Sequence, residues 1–301
     1  MSVKQAVVVL AKGLLAAVIA VGLGSAHGQK PAAEARIVSV GGALTEIVYL
    51  LGAEKQLVAV DTTSLYPAVA TQLPKVGYLR QLSAEGVLSM RPTVVLATNE
   101  AGPPNVIAQL KDAKVNLALI RDDHTFADVR AKVLAVAKAI GRESEGTALD
   151  AKLTQEMEAA QLAVAKLGSA PRVLFILSHT GTAQVAGEST AADAFIKLVG
   201  GVNVMSGFKG YKPLTVEAAV AAQPDVILTT TQGLTAIGGP EKLLAQPGLA
   251  LTPAGKGKRV VAMEALYLLG FGPRLPQAVR EAGEKLRQNQ PAHSASQAKA
   301  P

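Results

Sequence analysis

Cysteine is absent from all 301 residues, tryptophan is absent as well, and the aromatic complement is five Tyr and five Phe. Without a thiol the chain has no lipid-modified N-terminal cysteine, no disulfide and no thiolate metal site. Histidine is scarce too. Of the four, His27 and His293 sit in terminal segments, and His124 and His179 alone do not make the convergent set that a receptor for free zinc or manganese needs. No block of five or six like charges occurs, and the few aromatics are not interleaved with Lys or Arg, so a nucleic-acid partner is not expected. The signatures G-x-S-x-G, G-x4-G-K-[ST] and H-E-x-x-H are missing, which speaks against a secreted enzyme on an α/β scaffold.

What is present begins at the N-terminus. MSVKQAVVVLAKGLLAAVIAVGLGSAHG (1–28) places Lys4 before an apolar stretch and small residues before a polar change, the pattern of a cleaved secretory signal. Lys12 leaves too few apolar residues on its far side for a spanning anchor, which needs about 20. Cleavage removes Lys4 and Lys12 and no acid, lowering the formal charge from +7 to +5. The remaining length, about 270 residues, suits two domains.

Self-similarity supplies the organisation. LSAEGVLSMRPTVVLAT (82–98) and LTVEAAVAAQPDVILTT (214–230) align at an offset of 132, pairing Leu82 with Leu214, Glu85 with Glu217, Pro92 with Pro224 and Leu96 with Leu228. Each copy reads as a Ser- or Thr-capped short helix, a Pro stop and an apolar strand. Each half also opens alike: ARIVSVGGALTEIVYLLGA (35–53), with Ile47, Leu50 and Leu51 on one helix face, and PRVLFILSHTGTAQVAGESTAADAFIKLVGG (171–201). Continuous apolar strands alternating with helices predict parallel sheets covered on both faces. Between the halves, Leu149, Leu153, Met157, Ala160, Val164 and Leu167 form one apolar stripe, predicting a helix over Glu143–Leu167 that braces two lobes and lets the cleft open only slightly. The expected fold class is α/β, two sandwich lobes joined by one long rigid helix. The expected divisions are a signal peptide (1–28), a first lobe (29–142), the linking helix (143–168), a second lobe (169–287) and a flexible tail (288–301).

One tyrosine stands out. In DTTSLYP (61–67) Pro67 disfavours the α region for Tyr66, so its side chain is presented by a turn just past the apolar run Leu57–Val60. Taken alone, such a residue is either a strand-capping tyrosine with a wet hydroxyl or a ligand.

Secretion, two α/β lobes, a single linking helix, no cysteine and paired Glu-x6-Pro segments together resemble the substrate-binding proteins of bacterial importers for haem, ferric siderophores and cobalamin. Within that class DTTSLYP, LPKVGYLRQLSAEGVLSMRPT (73–93), GFKGYKPLTVEA (207–218) and LLGFGPRLPQA (268–278) resemble the periplasmic haem-binding proteins of haem ABC transporters. The resemblance implies a soluble periplasmic receptor that carries ferric b-type haem to an inner-membrane ABC permease dimer, downstream of an outer-membrane haem receptor. It implies Tyr66 as axial ligand to the iron, and the chemistry agrees, since ferric iron is a hard acid and a phenolate a hard anionic donor. His179, after the first strand of the second lobe, corresponds to a second ligand that some members use. Lys209, Tyr211, Lys212 and Arg80 are candidates to hold the two propionates by charge-assisted bonds; Tyr78 either stacks on the macrocycle or packs, and Arg274, in the GFGPR-like segment, is open between ligand and structural roles. Glu85 and Glu217 are implied to dock onto arginines of the two membrane subunits. A siderophore or cobalamin receptor of the same fold is the alternative, and it makes Tyr66 dispensable.

Overall fold

The computed structural model describes residues 35–178 and 183–288; the expected signal peptide, nearly all of the expected tail, and His179 lie outside the described residues. The first lobe runs β1 (Ile37–Val40), α1 (Gly42–Leu50), β2 (Leu57–Val60), β3 (Gly77–Tyr78), β4 (Gln81–Leu82), α2 (Ala84–Ser89), β5 (Val94–Thr98), α3 (Pro104–Asp112), β6 (Asn116–Ile120) and α4 (Phe126–Ala139). Its four-stranded sheet has the order β2-β1-β5-β6 with every pair parallel, and β3 and β4 form a separate hairpin. Because strand side chains alternate between faces, Val38, Val40, Val95 and Ala97 pack towards α2, α3 and the hairpin, while Ile37, Val94 and Leu96 pack towards α1 and α4.

From α4 the chain turns into α5 (Glu143–Ala165), 23 residues and about 35 Å long. Leu153, Met157, Ala160 and Val164 are buried on it, and the expected outer members of the stripe, Leu149 and Leu167, are half-buried where the helix leaves its partners. These side chains belong to one apolar cluster that takes in Ile37 and Leu96 of the first sheet and Val173, Phe175 and Leu228 of the second. The brace is therefore part of a core common to both lobes.

The second lobe runs β7 (Arg172–Leu177), β8 (Gln184–Ala186), α6 (Ala191–Leu198), β9 (Val202–Asn203), β10 (Tyr211–Pro213), α7 (Val216–Ala222), β11 (Val226–Thr230), α8 (Thr231–Ile237), α9 (Pro240–Leu244), α10 (Pro253–Lys256), β12 (Val260–Met263), α11 (Ala265–Leu269) and α12 (Leu275–Arg287). Its six-stranded sheet has the path β10-β8-β7-β11-β12, with β9 also on β7. The expectation of a purely parallel sheet needs correction here. β8 runs antiparallel to β7 and β10 antiparallel to β8. Both are three residues long, and β10, Tyr-Lys-Pro, is exposed throughout; a polar, proline-bearing edge strand carries no apolar run to announce it. A second correction concerns α1, whose buried face is Leu44, Ile47, Val48 and Leu51; Leu50 is 52% exposed, because the stripe includes positions three and four apart only on the side facing α4 and the sheet.

The repeat is visible as structure. Ser83 Oγ accepts from the Gly86 N–H (3.3 Å) and Thr215 Oγ1 from the Ala218 N–H (3.2 Å), so α2 and α7 begin with equivalent caps, and Val87 and Ala219 are buried one turn in. Each helix presents its glutamate outward; neither Glu85 nor Glu217 is in an ion pair among the described residues.

Candidate functional site

The turn after β2 rests on Asp61, whose side chain is wholly buried. Its Oδ1 accepts from the Gly41 N–H (3.0 Å) and Ser64 Oγ (2.8 Å), and its Oδ2 accepts from the Thr63 N–H (3.1 Å) and Oγ1 (2.7 Å). Thr63 Oγ1 in turn accepts from the Gly42 N–H (3.1 Å). Asp and Thr favour such local turns because their short side chains reach the neighbouring backbone. The turn is thereby bolted to the first residues of α1, so closely that a Cβ on Gly42 would stand 2.4 Å from the Thr63 carbonyl oxygen. Leu65 and Tyr66 project from it, Tyr66 with 43% of its surface exposed and a cis peptide bond to Pro67. The tyrosine is thus presented by a turn, as its sequence context predicts.

Arg274, just before α12 in the other lobe, reaches this turn. Its guanidinium carbon lies 3.7 Å from the centroid of the Tyr66 ring and 5.0 Å from that of Tyr267. Its Nε donates to both carboxylate oxygens of Glu46 on α1, each at 3.0 Å. One amino nitrogen, Nη2, is buried without a hydrogen-bond partner, with Glu264 Oε2 at 4.0 Å. Burial pushes the Glu46 carboxyl above its ordinary range, and the Arg274 charge and hydrogen bonds offset only part of that. Tyr267 donates from Oη to Glu281 Oε2 (3.2 Å), and burial, then the Glu281 charge, drive its phenol well above the ordinary value. The same connecting segment carries Phe271, whose ring meets His124 edge-on with centroids 5.4 Å apart.

On the first lobe's rim, Arg80 donates from Nη1 to Tyr78 Oη and from Nη2 to Glu100 Oε2, both at 2.7 Å. The structure therefore finds Arg80 already holding a carboxylate. Tyr211 of the second lobe is 37% exposed; what desolvation its ring retains raises the phenol, opposed by Thr190 and by the positive charge of Arg80. Lys212 Nζ sits 4.7 Å from the Phe208 ring centroid, and Lys209 is exposed.

Between the lobes lies a cavity of about 580 Å³ lined by Asp122, His124, Glu188, Ser189, Thr190 and Asp193, among others. It is formed by the loop after β6 on one side and the connection from β8 into α6 on the other. Tyr66 does not line it; the stretch from Phe271 to Arg274 joins them, touching His124 at one end and Tyr66 at the other. The acids around it are largely engaged: Lys132 Nζ, with its side chain wholly buried, donates to Asp122 Oδ2 (2.6 Å), and Lys197 Nζ to Asp193 Oδ2 (2.7 Å). Burial lowers the Lys132 ammonium against the pull of Asp122. The turn that presents Tyr66 follows the C-terminal end of β2 and the loop that lines the cavity follows that of β6, the ends at which open α/β sheets bind their ligands.

The structure thus brings Tyr66 and Arg274 into contact and joins Tyr78 to Arg80 through a hydrogen bond. Sequence reading passed over Asp61, Glu46, Lys132 and Asp122. Asp61 had a local signal, the Asp-Thr-Thr-Ser run; Glu46 had a weaker one, a lone acid inside the apolar run of α1. Lys132 and Asp122 had none, since their pairing is tertiary.

A family profile described as "Periplasmic binding protein" matches residues 37–266. Among solved structures, the periplasmic heme-binding protein BhuT in complex with two hemes is 49% identical, with a TM-score of 0.81 over 84% of this chain and 98% of that one. The periplasmic heme-binding protein RhuT from Roseiflexus sp. RS-1, in apo form, is 41% identical, with a TM-score of 0.82 and the same coverage of 84% and 98%. A curated relative, the vitamin B12-binding protein of Pectobacterium carotovorum subsp. carotovorum (strain PC1), is 25% identical over 87% of this chain and 91% of its own length.

Proposed function

This chain belongs to the periplasmic binding protein family, and from that membership we propose that it is a haem receptor that binds ferric haem in the periplasm and hands it to an inner-membrane ABC importer without catalytic turnover. The observation that carries the reading is Tyr66, 43% exposed on the turn after β2, with the Arg274 guanidinium carbon 3.7 Å from its ring centroid. Identities of 49% and 41% to proteins named as periplasmic heme-binding support haem over the cobalamin of the 25% identical relative.

In this reading Tyr66 is the axial ligand, and His179 is the candidate for the second ligand that some members of the family use. Tyr78 and Tyr211 offer ring faces at the rims. Lys209 and Lys212 hold the propionates; Arg80 joins them if a propionate displaces Glu100, with which it now pairs. Arg274 acts by its contact with Tyr66. The signal over residues 1–28 delivers the chain to the periplasm, and haem arrives from an outer-membrane receptor. Glu85 and Glu217, outward on equivalent helices and in no ion pair among the described residues, dock onto cationic side chains of the two membrane subunits, as suits a pseudo-two-fold receptor meeting a two-fold partner.

Titration of the purified protein with hemin, an iron siderophore and cobalamin, followed by visible spectroscopy, tests the proposal. A saturable shift of the haem bands, with no saturable response to the other two, is the expected result. Tight binding of cobalamin or siderophore with none of hemin overturns it.

A further inference from the structure

The two lobes share more than a capped helix with a glutamate. Arg36, one residue ahead of β1, donates from its backbone N–H to Thr93 Oγ1 (2.8 Å), from Nε to the Arg91 carbonyl (3.0 Å) and from Nη2 to the Met90 carbonyl (2.7 Å). Arg172, the first residue of β7, donates from its backbone N–H to Asp225 Oδ2 (2.9 Å), from Nε to the Gln223 carbonyl (3.2 Å) and from Nη2 to the Ala222 carbonyl (2.7 Å). The acceptors correspond one for one at the repeat's offset of 132: Met90 with Ala222, Arg91 with Gln223, Thr93 with Asp225. Arg91 and Gln223 both take the left-handed conformation, at φ 48° and 40°. The arginines themselves are offset by 136, so the same three bonds are made although the intervening chain is four residues shorter in the second lobe.

The physical need is plain. α2 has six residues and α7 seven, too few to be stable alone, and the last carbonyls of a helix have no partner within it. A guanidinium meets two successive carbonyls with two donors at once and brings a positive charge to the negative end of the helix dipole. Each short helix is thereby tied at its C-terminus to the first strand of its lobe, while Ser83 or Thr215 caps its N-terminus.

We infer that Arg36 and Arg172 are a matched pair of positioning residues that hold Glu85 and Glu217 in the orientation required by a two-fold membrane partner bearing cationic side chains. The inference rests on the docking role proposed above. A carboxylate held on a fixed helix gives up less freedom on docking than one on a fraying turn.

A double-mutant cycle tests it. The hemin-loaded protein is titrated against its importer in lipid nanodiscs, and hemin affinity and melting temperature are recorded for every variant. Arg36→Met keeps the aliphatic stem and removes the donors; it should weaken importer binding about tenfold, with hemin affinity and melting close to the parent. Combined with Glu85→Ala it should weaken binding no further than Glu85→Ala alone, because both act through one helix. Combined with Glu217→Ala, on the other lobe, the two losses should multiply. Arg172→Met should give the mirror pattern. Arg36→Lys and Arg172→Lys, which keep the charge without the fork and perturb folding least, should behave as the Met variants. The inference is overturned if the Arg36 and Glu85 losses multiply, if Arg36→Met leaves importer binding unchanged while Glu85→Ala weakens it, or if Lys restores parental binding. If Glu85→Ala and Glu217→Ala both leave importer binding unchanged, the docking role itself fails, and the positioning role falls with it.

Discussion

Tyr66, Arg274 and Glu46 form a chain of three side chains in contact. Glu46 holds the guanidinium by Nε, the guanidinium covers the phenol ring, and the phenol is the proposed ligand to haem iron. Tyr66→Phe keeps the ring and its cation contact but removes the only atom that can bond iron. The ferric haem spectrum should change and haem should dissociate faster by more than about 100-fold; a parental spectrum and off-rate would reject the ligand role. Glu46 makes a separate prediction about pH. Its carboxyl is raised above the ordinary value of 4.5 in the folded chain. The folded state therefore binds its proton more readily than the unfolded one, and the stability it contributes is full below the unfolded value and lost as pH rises through the folded one. Glu46→Gln should flatten that part of the stability curve, measured by urea unfolding across the acid range. A slope identical to the parent's would mean that Arg274 fully offsets the burial.

At the scale of elements, α5 decides whether the lobes unfold together. Met157 is buried on α5 in the cluster that reaches both sheets. Met157→Ala removes packing from a shared core and should cost about 2–5 kcal/mol. Because both lobes lose it, a single unfolding transition should move, read equally by probes in either lobe; two separated transitions would show that the lobes fold independently of the helix. Arg130 and Asp150 tie α4 to α5 through two bonds of 2.7 and 2.8 Å. The hydrogen bond from Arg130 holds the Asp150 carboxyl below its ordinary value of 3.8, so this contribution is present above that pH and disappears as pH falls through the folded value.

Among the described residues the apolar cores of the two lobes merge through α5, an arrangement from which little relative motion of the lobes is expected. Small-angle scattering with and without hemin should give nearly the same radius of gyration; a large contraction would contradict the rigid brace. Ligand binding should instead appear as stability. Hemin at about 100 times its Kd should add about 2.7 kcal/mol to unfolding of the chain as one unit. The proposed docking role of Glu85 and Glu217 belongs to this scale as well. Glu85→Ala with Glu217→Ala should leave hemin affinity and melting nearly intact and stop haem uptake, most visibly at low salt, where charge steering acts.

Much of this was local in the sequence. The period of apolar residues along α5, the Ser and Thr caps, the Pro stops and the turn at Pro67 depend on neighbours within a few positions, so the alternation of strands and helices, the repeat and the exposure of Tyr66 could be read directly. The antiparallel edge of the second sheet could not, since β8 and β10 are short and their pairing is a property of distant backbone. Nor could the partners of the charged residues. Arg274 and Glu46 are 228 positions apart, and Arg36 and Met90 are 54 apart. Arg80 reads as a free cation until folding brings Glu100 to it, and Lys132 as a surface lysine until Asp122 meets it inside the protein. Local propensity and hydrophobic period are carried by adjacent residues, whereas the pairing of a charge depends on which groups the completed fold places within about 4 Å of it.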